Sequence, residues 1–188
     1  HPEVRQNGLS SCPICGMALE PIMATVDNSE DTSEYLDIRQ RFIFSTSLSI
    51  PLLIVSMGGR HLLESHASHY WMNYLEFLLA SPVVLWGAWP FFKKFFTSLR
   101  SRNLNMFTLI GLGVGIAYIY SLLAVFVPQI FPTSIQSEHS RFVNLYSEPA
   151  AIIVTLVLLG QVLELKARRQ TSLAIKGLLD LSPKMARR

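Results

Sequence analysis

Two cysteines, one methionine and two glutamates carry the metal chemistry open to this sequence. Cys12 and Cys15 stand in Cys12-Pro13-Ile14-Cys15-Gly16. A turn of this kind aims two thiolates at one ion, and its glycine permits the tight backbone. A structural zinc or iron site takes four ligands, and His1 and Met17 are the nearest additions. The alternative is a reduced cysteine pair without a complete site.

Glu164 lies inside an apolar run, where a charge is costly and tends to mark function. Its neighbour Lys166 leaves a second reading open, a carboxylate that reaches to the interface. Met106 alone reads as core filler. Set beside a carboxylate on a neighbouring helix at the same depth, its thioether makes a transient soft-cation site, selective for Cu(I) or Ag(I) over hard ions. Glu148 stands at the far mouth of the same apolar run as Glu164. It reads either as a carboxylate that handles a cation there or as an ordinary interfacial residue. His61, Glu64, His66 and His69 share one short loop, which reads more simply as polar surface than as a metal site.

These residues must be held by membrane-spanning helices. The chain has 188 residues, half of them hydrophobic, gathered in four apolar stretches. That excludes an ordinary soluble domain. The formal charge of +3 is modest, and nothing in it calls for a nucleic-acid partner. Expected spans are about 42–57, 74–89, 105–127 and 149–165. The third, opening at Asn105 and Met106, exceeds the roughly 20 residues that cross a hydrocarbon core. Gly111, Gly113 and Gly115 recur in it at every second position, so they do not share one helical face. In lipid, glycines let neighbouring helices approach closely. Pro51 and Pro82 sit inside the first two spans, and Gly58 with Gly59 is expected to end the first.

Between spans two and three, WPFFKKFFTSLRSRN sets aromatic pairs among Lys93, Lys94, Arg100 and Arg102. This pattern suits a helix lying along the membrane surface. Pro90 can break the axis before it, and Phe95, Phe96 and Leu99 continue its apolar stripe. Lys and Arg crowd the segments before span one, between spans two and three, and after span four. By the positive-inside rule both ends are cytoplasmic. The expected fold is therefore an all-α membrane protein. It has four transmembrane helices and an interfacial amphipathic platform helix, preceded by a small CxxC metal-knuckle segment. Its expected domains are the CxxC segment 1–21, an acidic linker 22–41, the membrane domain 42–165 with the platform at about 90–102, and a stalk helix 166–188. The polar start without an initiator Met, and the abrupt stop at Arg188, read as the ends of a fragment.

The order of these pieces resembles the N-terminal part of bacterial copper-transporting P-type ATPases of the heavy-metal class. HPEVRQ and CPICGMALEP resemble the heavy-metal-binding segment before the membrane domain. Trp86-Gly87-Ala88-Trp89-Pro90-Phe91-Phe92 is similar to the kinked second helix that forms the platform. Asn105–Ile110 with Tyr118–Ser121 resembles the third helix, and Leu156–Arg168 with Ser172–Pro183 the fourth helix and stalk. The likeness covers nearly the whole chain.

The resemblance implies an ATP-driven exporter of Cu(I), with Ag(I) or Zn(II) as other ions, in the bacterial inner membrane. Met106 and Glu164 match the positions that accept Cu(I) from a cytosolic copper chaperone. Glu148 matches the outer carboxylate at ion exit. Lys93, Lys94, Arg100 and Arg102 match the basic docking face, and Cys12 and Cys15 match two ligands for zinc or copper. Gly87 and Pro90 together are expected to carry the kink, because the second of the family's two glycines is Ala88 here. No Cys-Pro-Cys, Thr-Gly-Glu or Asp-Lys-Thr-Gly-Thr motif is present. ATP and Mg2+ would therefore act only in the full-length protein, through further actuator, phosphorylation and nucleotide domains. The rival reading is a freestanding membrane metal-binding or chaperone-docking module without ATPase activity.

Overall fold

A computed structural model describes Val4, Cys12 and residues 29–62, 66–131 and 145–180. Among the described residues there are helices and turns and no strand. The elements are α1 (Ser29–Leu62), α2 (His66–Pro82), a π-helical turn (Val83–Gly87), α3 (Trp89–Ser101), α4 (Met106–Phe126), a 3-10 turn (Pro128–Ile130) and α5 (Ser147–Asp180).

By length and composition, Ser33–Ser56, Met106–Phe126 and Ser147–Thr171 are each able to cross a membrane. Among the described residues, a fourth crossing exists only if Trp71–Gly87 and Trp89–Ser101 are taken as one bent pair, turned by 58°. The amphipathic stretch expected to lie along the surface is α3 itself. Helix α1 begins at Ser29, so the second half of the acidic stretch 22–41 is helical and continuous with the first span. Helix α1 also runs through Pro51 and on past Gly58 and Gly59, which were expected to end it. Helix breakers are tolerated where lipid offers the backbone no competing partner. Helix α5 has 34 residues. At about 1.5 Å per residue it outreaches the hydrocarbon core.

Helix α1 packs along α5, α3 lies on α4, and α2 touches α1, α4 and α5. Small and branched residues make the seam: Ala80, Val83, Val84, Ala150, Ala151, Val154 and Leu158 are all buried around Leu52. Small residues let membrane helices approach, where van der Waals contact replaces the hydrophobic drive. Hydroxyl contacts cross the bundle. Ser49 Oγ lies 2.9 Å from Thr155 Oγ1, joining α1 to α5. Tyr118 Oη donates to Ser81 Oγ at 3.0 Å, joining α4 to α2, where Phe77 also stacks on Tyr118. The outward faces are apolar, with Leu78 and Leu109 both largely exposed, as lipid-facing surfaces require.

Candidate functional site

The mouth of α4 is built by its cap. Helix α3 ends where Arg102 takes the left-handed conformation, φ 56° and ψ 16°, and turns the chain back. Asn105 caps α4: its Oδ1 accepts from the Thr108 amide at 3.1 Å, and Thr108 Oγ1 accepts from the Asn105 amide at 3.1 Å. This reciprocal pair satisfies two donors that a helix start leaves open. Buried Ser98 ties the cap to the platform, with Oγ 2.6 Å from Thr108 Oγ1 and a donated bond to the Asn103 carbonyl. Met106 is the first residue after this cap, and 58% of it is exposed. A flexible thioether is thus presented from a fixed backbone.

Glu164 lies far along α5, and its carboxylate is held on its own helix. Gln161 Nε2 donates to Oε2 at 2.8 Å, and Arg168 Nη2 donates to Oε1 at 3.0 Å. The carboxylate is half exposed, so this spacing of three and four residues makes a weak surface pair. Among the described residues, these polar contacts of Glu164 are local, and none runs to Met106. Among the described residues, no group of three or more His, Cys, Asp or Glu could hold a metal ion.

The platform bases divide by what they touch. Lys94 Nζ sits 4.7 Å over the Phe107 ring and Lys93 Nζ 5.9 Å over the Trp89 ring. Arg100 and Arg102 are exposed at the end of α3, where positive charge suits the helix dipole. Lys94 is thus half-buried against an aromatic face, Lys93 is exposed with its ammonium farther from a ring, and Arg100 and Arg102 are exposed.

At the bend, Gly87 is buried, and a Cβ on it would sit 2.6 Å from Ser45 Oγ of α1. Ala88 follows at φ −81° and ψ −2°, a conformation open to alanine, so a second glycine is not needed. Pro90 falls in the first turn of α3, where a proline is tolerated.

At the other end of α5, Glu148 is half-buried in the first turn. Ser147 before it is fully buried, and its Oγ approaches Glu76 Oε1 of α2 at 3.5 Å. Glu76 is 4% exposed. Sequence reasoning passed over Glu76, although a lone carboxylate in Tyr74–Ala80 was a visible signal. Tyr146 donates its amide to Ser121 Oγ at 2.9 Å, fixing the start of α5 against α4. Of the CxxC pair, Cys12 is buried, while Cys15, His1 and Met17 lie outside the described residues. Glu64 also lies outside them, and the side chains of His61, His66 and His69 are not described.

No family model matches the chain. Curated proteins do match it over its whole length. It is 53% identical to a copper-exporting P-type ATPase of Legionella pneumophila, of which it covers 25%. It is 51% identical to a silver exporting P-type ATPase of Salmonella typhimurium, covering 23%, and 48% identical to a copper-transporting P-type ATPase of Rhizobium leguminosarum, covering 22%. Over its whole length the chain is similar to copper and silver exporting P-type ATPases. The chain spans about a quarter of the length of these relatives.

Proposed function

We propose that the chain is the N-terminal membrane part of an ATP-driven exporter of Cu(I), or of Ag(I), that carries the ion intake site and its docking platform. The observation that carries the reading is the exposed Met106 thioether on a capped helix start beside a basic platform. The likeness to copper and silver exporters at 48–53% identity supports the ion class.

In this reading a thioether and a carboxylate hold a soft monovalent cation weakly, so that it passes inward. Glu164 exchanges its contact with Arg168 for the cation. Lys93, Lys94, Arg100 and Arg102 attract the acidic surface of a cytosolic copper chaperone. Glu148 receives the ion at the outer end of α5, and Cys12 with Cys15 binds zinc or copper separately. The chain sits in the bacterial inner membrane with both ends cytoplasmic, because Lys and Arg concentrate on that side. Residues 1–21 form the metal-binding segment and 166–188 a stalk toward the actuator domain. ATP and Mg2+ act on parts of the pump that this chain does not include.

Two variants of the full-length pump, Met106→Ala and Glu164→Ala, test the intake site through Cu(I) uptake into inside-out vesicles. Each is expected to raise the Cu(I) concentration needed for half-maximal uptake. Unchanged uptake in both would sink the assignment. A chelator competition with Cys12→Ser/Cys15→Ser beside them separates the cysteine site. It should lose a tighter site that the Met106 and Glu164 variants retain.

A further inference from the structure

Proline has no amide hydrogen, so a helix that contains one loses the bond to the carbonyl four residues earlier. For Pro90 that carbonyl belongs to Trp86. The local backbone makes up the loss only in part: the Ala88 amide is shared between the Trp86 carbonyl two residues before it and the Val83 carbonyl at 3.2 Å, and the Phe91 and Phe92 amides go to the Ala88 carbonyl. The Trp86 carbonyl thus keeps only a share of one amide in place of a full helical bond, and an apolar bilayer offers no further donor.

The further donor comes from α1. Arg41 Nη1 donates to the Trp86 carbonyl at 2.6 Å, across 45 residues of sequence. The guanidinium lies 4.6 Å over the Trp86 ring, and its Nε donates to Asp37 Oδ2 at 2.9 Å. The Arg41 side chain is 14% exposed, so it is spent on this contact rather than on water. One turn further along α1, Ser45 sets its hydroxyl against Gly87, closing the same face of the bend. Arginine suits the task because its planar fork can donate in two directions while its face stacks on a ring.

We propose that Arg41 is the positioning residue of the platform. It replaces the hydrogen bond that Pro90 cannot make and so fixes the 58° bend that aims α3. Asp37 holds the guanidinium in place, and Trp86 supplies both the carbonyl and the ring. The direction in which Lys93, Arg100 and Arg102 face is thus decided from α1.

The test is a two-by-two comparison in the full-length protein in lipid nanodiscs, read by hydrogen exchange of the Ala88, Phe91 and Phe92 amides. Arg41→Gln in the parent should speed their exchange about tenfold, the effect of losing one charge-assisted hydrogen bond. In the Pro90→Ala background the new amide can serve the Trp86 carbonyl, and the same substitution should change exchange by less than about twofold. Equal acceleration in both backgrounds, or none in the parent, overturns the proposal. If Arg41→Gln does not insert, Arg41→Lys keeps the flanking charge and repeats the cycle under the same criteria. The exchange readout needs no ion, so it stands apart from the Cu(I) assignment. In wild-type-competent pumps, Arg41→Gln should also raise the KM for chaperone-delivered Cu(I) and spare kcat. A lowered kcat with KM unchanged overturns the positioning role.

Discussion

Phe95 of α3 lies over Gly111 of α4 so closely that a Cβ on Gly111 would come within 2.7 Å of both Phe95 Cβ and Cγ. Helix α3 therefore rests on bare backbone there. Phe91 and Phe107 stack next to this contact, with ring centroids 6.0 Å apart, and extend the seam between the two helices.

Gly111→Ala is expected to lever α3 away from α4 and cost about 1–3 kcal/mol, as overpacking does elsewhere. Gly113 has nothing within 4 Å of a built Cβ, so Gly113→Ala should be neutral or mildly stabilising. Thermal unfolding in detergent compares the two. Equal loss at both positions would show that helix propensity, and not the Phe95 contact, sets the cost.

Thr108→Val keeps the side-chain shape but removes one side of the cap and the contact with Ser98. A lost cap costs about 1 kcal/mol. The chain should melt earlier, and Cu(I) affinity at the proposed intake should fall because Met106 loses its fixed backbone. Titration against a chelator checks the second effect. Weakened folding with unchanged affinity would separate the cap from the ion.

Arg168 donates to Glu164 Oε1, and in the proposed intake it would compete with the cation for that oxygen. Arg168→Gln should therefore strengthen Cu(I) binding there by up to about threefold, the scale of an exposed ion pair within one helix. Stability should change by less than about 0.5 kcal/mol. Weaker binding in this variant would mean that Arg168 orients the carboxylate rather than blocks it.

Lys93, Arg100 and Arg102 replaced together by Gln should slow association with an acidic chaperone about tenfold at low salt. The difference should shrink as salt rises, because exposed charges are screened. Stopped-flow mixing at two ionic strengths measures it. Lys94 is left out because its ammonium sits over Phe107 and its loss would perturb packing as well.

The apolar spans were readable from residue types because transfer into lipid is nearly additive along a helix. Three of the expected spans, about 42–57, 105–127 and 149–165, coincide closely with helices that meet the length and composition needed to cross. The amphipathic stripe of α3 and the start of α4 at Asn105 were readable for a similar reason, since a period and a cap are local patterns. The bend falls between Gly87 and Trp89, next to the two residues expected to carry it, Gly87 and Pro90. Arg41, by contrast, read only as a positive flank of span one. Its carbonyl partner lies 45 residues away, and no local pattern names a partner at that distance. The same holds for Glu76 against Ser147, for Phe95 over Gly111 and for Ser98 beneath Thr108. Composition and period state what each helix can tolerate. Which hydrogen bond the Pro90 break leaves open, and which side chain fills it, depends on how the helices lie against one another. Only the folded bundle decides that.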